Sequence, residues 1–280
     1  MNNFHTNDHL YIDQITLIVK NAAVSIKFYE EALGFTLKNQ KDNVYTLGTS
    51  KRDLIKLIEN VDALPKERTT GLYHFALLLP NRQYLGQLTN HFLKTNQKLI
   101  GGSDHGVSEA LYLSDPDGNG IEIYTDRESF LWEYNREGEV IMFTEMMDYE
   151  GVMSNAYKEP WTKLPEDTVM GHVHFHVNNL DLGKTYFIDI LGFQQTLNYG
   201  GSAIFISDQK YHHHVGFNIW NGIEAESRPF DMVGLQSFHL NVPSNQINDL
   251  LKRLDDRKIK VREDENGRFI YDLNDVRVYF

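Results

Sequence analysis

The chain is built from one short unit repeated four times, and this repetition restricts its fold more than any other feature. Residues 12–19 and 170–177 both alternate apolar and polar side chains, as half-buried strands do. Each is followed by a helical stretch that ends in Leu-Gly-Phe, so the two copies align at a constant offset of 158 residues without a gap. Gly34 and Gly192 follow these helices, at a position where glycine tolerates a left-handed backbone.

A second pair of copies follows the same plan. Residues 72–80 and 235–243 align as strands, and each strand leads into a helical stretch and then into further strands. A unit of strand, helix and about three strands therefore occurs four times. We number these modules one to four, at residues 10–60, 70–126, 169–222 and 234–280. They predict an α+β fold with module pairs at residues 8–126 and 169–280, joined by a connecting segment at residues 127–168.

Composition narrows the function classes. The chain has 280 residues, no cysteine and a formal net charge of −12, which excludes disulfide scaffolds and thiolate metal sites and disfavours a nucleic-acid partner. No apolar run reaches the roughly 18–20 residues that span a bilayer, and the polar start is unlike a signal peptide. We therefore expect a cytoplasmic protein with no membrane or nucleic-acid partner, which acts on small molecules and holds any metal with histidine and carboxylate.

The twelve histidines are unevenly placed. His172, His174 and His176 alternate along one strand and so share one of its faces, while residues 212–214 are three consecutive histidines before an apolar run. In module two, His74 lies on the first strand and Glu122 on the last, and these two strands can be close neighbours in such a unit. Two histidines and one carboxylate on one face leave three coordination positions open, the arrangement that non-haem Fe(II) enzymes use.

Simpler interpretations of the same residues stay open at this point. A single strand histidine is more often a hydrogen-bonded polar residue than a ligand, and three adjacent histidines are compatible with a solvated strand edge. Residues 115–120 predict a turn by composition alone. Glu122 alternates with two isoleucines, which is also typical of a side chain that points out of a sheet.

Several motifs together resemble the vicinal oxygen chelate (glyoxalase/bleomycin resistance/dioxygenase) superfamily. They are GLYHF at residues 71–75, LYLSDPDGNGIE at residues 111–122, GHVHFHV at residues 171–177 and YHHH at residues 211–214. Within this superfamily the chain resembles catechol 2,3-dioxygenase-like type I extradiol dioxygenases, over about residues 8–280. The resemblance implies two domains in which curved mixed sheets surround clefts.

The resemblance also implies a set of metal ligands. Extradiol dioxygenases take a histidine from the first strand of one module, and a histidine and a glutamate from a second module, which here gives His172, His74 and Glu122. The corresponding positions in modules one and four are Gln14, Lys56, Ser237 and Arg277. With no histidine or carboxylate there, a cleft between those modules is expected to bind no metal. We therefore hypothesise that modules two and three form the active cleft; pairing of modules one with two and three with four stays the alternative.

Three catalytic residues are implied in the same way. Tyr112 lies ten residues before Glu122, as the active-site tyrosine of these enzymes does. His213 corresponds to the acid–base histidine, with His212 or His214 as alternatives. His105 corresponds to a further histidine that precedes the tyrosine, in a loop that is two residues longer here.

These residues imply an enzyme that opens the ring of catechol or a substituted catechol with Fe(II) and O₂; Mn, Zn and Ni are alternative metals. One competing function is a glyoxalase-like metal-dependent isomerase or lyase, whose sites usually have four protein ligands. Another is a metal-free small-molecule binding protein of the drug-sequestering kind. The sequence leaves the ring substituents and any homo-oligomer undetermined.

Overall fold

The structure, a computed structural model, describes residues 4–280 and contains the expected unit four times. Module one consists of β1 (Tyr11–Val19), α1 (Ala22–Phe28) with a π-helical turn (Tyr29–Leu33), β2 (Thr36–Lys41), β3 (Val44–Gly48) and β4 (Asp53–Glu59). Module two consists of β5 (Gly71–Leu78), α2 (Arg82–Thr95), β6 (Gly101–Asp104), β7 (Ser108–Ser114) and β8 (Gly120–Asp126). The predicted α+β fold class is confirmed.

The connecting segment has little regular structure. It contains a 3₁₀ turn (Ser129–Leu131), the short strand β9 (Glu145–Met146) and the helix α3 (Tyr149–Ser154). Because β9 pairs with β6, the segment adds a strand to the edge of module two instead of bridging two separate bodies.

Modules three and four repeat the plan of the first two. Module three consists of β10 (Val169–His176), α4 (Leu180–Lys184) with a π-helical turn (Thr185–Ile190), β11 (Gln194–Tyr199), β12 (Ala203–Ser207) and β13 (Val215–Asn218). Module four consists of β14 (Gly234–Asn241), α5 (Ile247–Asp256), β15 (Arg262–Asp264), β16 (Gly267–Tyr271) and β17 (Arg277–Tyr279). No helix within residues 4–280 is long and apolar enough to cross a membrane.

The strands form two mixed sheets, and each sheet combines an early module with a late one. The eight-stranded sheet has the order β15-β16-β17-β14-β1-β4-β3-β2 and contains modules one and four. The nine-stranded sheet has the order β11-β12-β13-β10-β5-β8-β7-β6-β9 and contains modules two and three with β9. At the centre of each sheet the first strands of the two modules pair antiparallel. The division of the chain into domains stays a prediction.

The hydrophobic core includes residues from both sheets and from the helices packed on them. The rings of Phe175 on β10 and Phe238 on β14, for example, are 5.7 Å apart between centroids. Side chains alternate along a strand, so Val173 and Phe175 face this core while His172 and His174 face the opposite side of the sheet. Full burial of such apolar side chains contributes about 1.5–3 kcal/mol each.

Both predicted glycine positions after the helices have a left-handed backbone. Gly34 has φ +79° and Gly192 has φ +102°, conformations in which a side chain would be strained. Gly34 is also closely packed, because a Cβ atom there would lie 2.6 Å from the Cα atom of Lys163. The end of the helix in module one therefore packs directly against the connecting segment.

Candidate metal centre

Strand register brings together three of the residues predicted as metal ligands. In the nine-stranded sheet β10 and β8 flank β5, with His172 opposite Ala76 and Ala76 opposite Glu122. Residues opposite one another share a face of the sheet, and His74 lies two positions before Ala76 on that same face. Ala76 has only a methyl group, so its position leaves room for the imidazole and carboxylate groups from both neighbouring strands. All three predicted ligands are buried.

The three ligand atoms form a nearly equilateral triangle. Oε2 of Glu122 lies 3.2 Å from Nε2 of His74 and 3.2 Å from Nε2 of His172, and the two nitrogens are 3.3 Å apart. Two ligands about 2.1 Å from one ion and at right angles to each other are about 3 Å apart. The spacing therefore fits three ligands on one face of an octahedral ion. Across residues 4–280, this is the one group of three histidine or acidic side chains that is close enough to hold a metal.

Burial and mutual contact set the charges of these groups. Burial lowers the pKa of His172 to about 4, so its imidazole is neutral at neutral pH. Burial alone would raise the pKa of Glu122. The attraction of its carboxylate to His172 and His74, and its hydrogen bonds with them, outweigh this effect and hold the pKa of Glu122 well below its usual range. A neutral imidazole and an ionised carboxylate are the forms that bind a metal. The donor set therefore fits a divalent cation.

The triangle lies in a cleft with aromatic walls. The cleft has a volume of about 390 Å³, and its lining includes Tyr73, Tyr199, Phe205 and Trp220. Small-molecule sites of roughly this size are mostly apolar with a few polar groups that fix orientation. The cleft is therefore large enough to hold a small molecule beside His74, Glu122 and His172.

Only one of the three consecutive histidines lines this cleft. The ring centroid of His213 lies 4.1 Å from that of His172, and burial holds the pKa of His213 well below its usual value. His212 is instead paired with Asp126 at 2.8 Å. His214 donates from Nε2 to the carbonyl of Phe4 at 2.9 Å. Geometry thus favours His213 over the two alternatives, and its catalytic role stays a prediction.

Tyr112 and His105 form a hydrogen-bonded pair in the same cleft. Nδ1 of His105 lies 2.8 Å from the carbonyl oxygen of Phe143, which can only accept, so this nitrogen carries the hydrogen. Nε2 of His105 lies 2.7 Å from the Tyr112 hydroxyl. Burial raises the pKa of Tyr112 well above its usual value. The extra loop length before Tyr112 therefore does not remove His105 from the cleft.

Two groups of cleft residues were missed by the sequence interpretation. Met142, Phe143 and Thr144 of the connecting segment line the cleft, although composition suggested only a linker there. His174 is held by Asn218, whose Nδ2 donates to Nε2 of His174 at 2.9 Å. The alternation of His172 and His174 already placed both on one face, but nothing in the sequence indicated Asn218 as a partner.

A second cleft, here called the sister cleft, lies on the eight-stranded sheet. It has a volume of about 540 Å³, and its lining includes Gln14, Lys56, Ser237, Arg277 and Tyr279. It contains no group of histidine and carboxylate side chains, within residues 4–280, that is spaced to hold a metal.

Strand register corrects one equivalence between the two clefts. Tyr279 is paired with His239, just as Glu122 is paired with Ala76. Asp115 and Asp272 each accept two backbone N–H groups of the turn that leads into the last strand, and they precede Glu122 and Tyr279 by seven residues. The residue that corresponds to Glu122 is therefore Tyr279, and the assignment of Arg277 was wrong by two positions.

Comparisons with known proteins agree with this geometry. A Bacillus subtilis (strain 168) protein named catechol-2,3-dioxygenase is 41% identical over 276 residues, which cover 95% of this chain and 94% of that protein. Residues 11–123 match the family described as Glyoxalase/Bleomycin resistance protein/Dioxygenase superfamily.

Two solved structures share the fold at low sequence identity. A protein of Bacillus subtilis subsp. subtilis str. 168, provisionally named a dioxygenase, has a TM-score of 0.64 at 13% identity, with 98% of this chain and 85% of that chain covered. Glyoxalase I from Zea mays has a TM-score of 0.56 at 12% identity, with 96% and 91% covered. The 41% identity to the Bacillus relative over 95% of the chain and the match of residues 11–123 to the family model establish that the chain belongs to the glyoxalase/bleomycin resistance protein/dioxygenase superfamily.

Proposed function

We propose that this protein is an extradiol dioxygenase that opens the ring of catechol or a substituted catechol with Fe(II) and O₂. The observation that carries the proposal is the triangle of His74, Glu122 and His172, with sides of 3.2–3.3 Å. Three protein ligands on one face leave room for both oxygens of a diol and for O₂, as in other 2-His-1-carboxylate sites. A relative named catechol-2,3-dioxygenase supports the same chemistry.

The proposed cofactor is held by His74, Glu122 and His172. Two neutral imidazoles and one carboxylate leave a divalent ion with a net positive charge. When bound, Fe(II) supplies the positive charge that acidifies a catechol hydroxyl and the electron transfer that activates O₂. We propose Fe(II) over Zn, Mn or Ni because this donor set has three ligands and because the reaction consumes O₂.

The remaining polar residues of the cleft act on the substrate's protons. We assign His213 as the group that accepts the proton of the second hydroxyl and later returns it, since its neutral ring lines the cleft beside His172. The hydroxyl of Tyr112 is held by its hydrogen bond with His105, in a position from which it can orient a substrate hydroxyl. His105 is in turn fixed by the carbonyl of Phe143.

The overall reaction balances without a further reductant. The carbon–carbon bond next to the diol breaks, and both atoms of O₂ enter the product. One new end is a carboxylic acid and the other an aldehyde.

A direct test is oxygen uptake by protein loaded with Fe(II) under anaerobic conditions and then mixed with catechol in air. We expect one O₂ consumed per ring opened and both atoms of ¹⁸O₂ in the product. Protein loaded with Zn(II) is the matched control and should be inactive. If the iron-loaded protein holds about one iron per chain but consumes no O₂ with any of a series of catechols, the dioxygenase proposal is wrong, and isomerase substrates become the next choice.

A further inference from the structure

A chain of hydrogen bonds runs from the active cleft to a second, separate cavity. Nδ1 of His213 lies 2.8 Å from Nδ1 of His212, and Nε2 of His212 lies 2.8 Å from Oδ1 of Asp126. Asp126 lines a second cavity of about 160 Å³ together with Arg127 and Glu128. The proposed function uses His213 but gives Asp126 and His212 no role.

The chemistry of the donors fixes the direction of these hydrogen bonds. The carboxylate of Asp126 has no hydrogen to give, so Nε2 of His212 carries the hydrogen. A neutral His212 then has a bare Nδ1, which accepts from Nδ1–H of His213. The nitrogen of His213 that remains for the cleft is Nε2, and in this tautomer it is bare and can accept a proton.

The surroundings of Asp126 fit this direction. The hydroxyl of Tyr211 donates to Asp126 at 3.1 Å, so the hydroxyl of Tyr124 must be the donor in its 2.7 Å contact with Tyr211. The carboxylate of Asp126 therefore accepts hydrogen bonds from both His212 and Tyr211. The ring of His212 also stacks on Tyr211, with 4.0 Å between centroids, and is closely flanked by Trp132, so it has little room to turn.

We propose that Asp126 and His212 are positioning residues that hold His213 as the tautomer with hydrogen on Nδ1 and a bare Nε2. This inference rests on the proposed function only for its consequence, which is that His213 meets the diol as a base. The arrangement is analogous to a carboxylate that fixes the tautomer of a catalytic histidine, where loss of the carboxylate costs activity without removing the histidine.

The direct test is the protonation pattern of the histidine ring nitrogens in metal-free protein, measured by long-range ¹H–¹⁵N NMR with ¹⁵N-labelled histidine. Signals of His213 are assigned by their loss in His213→Gln. We expect Nδ1 of His213 to be protonated and Nε2 to be bare at neutral pH. A wild-type spectrum with hydrogen on Nε2 of His213, which a doubly protonated His212 would impose, overturns the proposal.

A substitution then tests the role of the carboxylate. Asp126→Leu removes the acceptor, so we expect His212 and His213 both to reverse their tautomers. In iron-loaded protein, kcat should fall by about 100-fold, the lower end of the range for general acid–base catalysis, while iron content and KM change little. The matched control is Glu128→Leu, which removes a neighbouring exposed carboxylate in the same cavity and should change neither spectrum nor kcat.

The two readouts separate this inference from the proposed function. The NMR measurement of the tautomers requires neither iron nor catechol. It therefore tests the positioning role even if the protein opens no ring. An unchanged His213 spectrum in folded Asp126→Leu contradicts the positioning role, whatever the activity.

Discussion

The active cleft and the sister cleft have the same strand plan but different side chains above the sheet. In both, the first strands of two modules pair at the centre of a sheet, and the last strand of a module runs parallel beside them. In the active cleft the positions above the sheet hold His74, Glu122 and His172, whereas Ser237, Tyr279 and Gln14 occupy the same positions in the sister cleft. The difference shows that the backbone sets the geometry of a facial ligand set, and that three side chains decide whether it can hold an ion.

The largest expected contrast comes from removing one ligand in each cleft. His74→Ala should lower iron from about one per chain to near zero and abolish ring opening, because loss of a direct ligand exceeds the 10- to 100-fold effect of losing a supporting residue. Ser237→Ala, the equivalent change in the sister cleft, should leave iron content intact. Elemental analysis of anaerobically loaded proteins measures both. Equal iron in the two variants contradicts the assignment of the metal to the active cleft.

The two turn aspartates, Asp115 and Asp272, should respond in opposite directions to the same substitution. Burial raises the pKa of Asp272 from 3.8 to about 7, so the folded protein keeps a proton that the unfolded chain loses. Its contribution to stability is therefore full below about pH 4 and declines as the pH rises to about 7. Asp272→Asn should remove this loss and stabilise the protein at pH 8 by up to about 4 kcal/mol, with much less effect at pH 5.

The matched substitution at Asp115 should destabilise at both pH values. Oδ2 of Asp115 accepts from the hydroxyl of Tyr29 and from the side-chain amide of Asn119, and the NH₂ group of an asparagine accepts neither. Leaving these buried donors unpaired costs about 1–3 kcal/mol. Urea unfolding of both variants at pH 5 and pH 8 gives the comparison. If Asp272→Asn is no more stable than wild type at pH 8, Asp272 does not carry a raised pKa.

A smaller effect is expected where the clefts differ in one hydroxyl. Tyr112 is paired with Glu122, and the residue paired with Tyr279 in the sister cleft is Phe269. Tyr112→Phe makes the active cleft resemble its sister at this position and should lower kcat by about 100-fold with iron content unchanged. Tyr279→Phe, measured in the same steady-state assay, is the control and should retain activity. If Tyr112→Phe has the same kcat as the wild-type protein, the hydroxyl of Tyr112 has no role in the reaction.

The smallest expected difference concerns the two glycines at the helix ends. A Cβ atom at Gly34 meets the backbone of Lys163, whereas at Gly192 it meets the guanidinium of Arg253, which can move. Both alanine variants carry the strain of a positive φ, about 1–2 kcal/mol. Gly34→Ala should cost about 1–3 kcal/mol more, since the backbone cannot give way. Thermal or urea unfolding measures the difference in stability between the two variants. If both variants lose the same amount of stability, the backbone around Lys163 moves to accommodate the new methyl group.

The repeat could be predicted from the sequence because it depends on local alternation, whereas the proposed ligand set came from the resemblance to extradiol dioxygenases. Period-two patterns show which residues share a face, and the offset between modules one and three contains no gap. Alternation with a period of two cannot reveal an alignment error of two residues, because such a shift leaves every side chain on the same face of the strand. This is why Arg277 was assigned in place of Tyr279, an error revealed by the pairing of Tyr279 with His239 and by the matching turns at Asp115 and Asp272.

Contacts between distant parts of the chain could not be predicted. Phe143 reaches His105 and Asn218 reaches His174 only after the sheet has formed. Asp126 and His212 are separated by 86 residues, and their pairing depends on how β8 and the histidine run meet. Sequence patterns describe faces of single strands, whereas these contacts depend on tertiary packing.

The order in which the two sheets use the chain has a consequence for synthesis on the ribosome. All strands of the nine-stranded sheet come from residues 71–218, so the segment that carries the three metal ligands has emerged before module four is made. The first strand, β1, by contrast pairs with β14, which begins at Gly234. One edge of β1, with its apolar side chains, therefore stays unpaired until β14 has been made, and during translation this edge is open to wrong pairing.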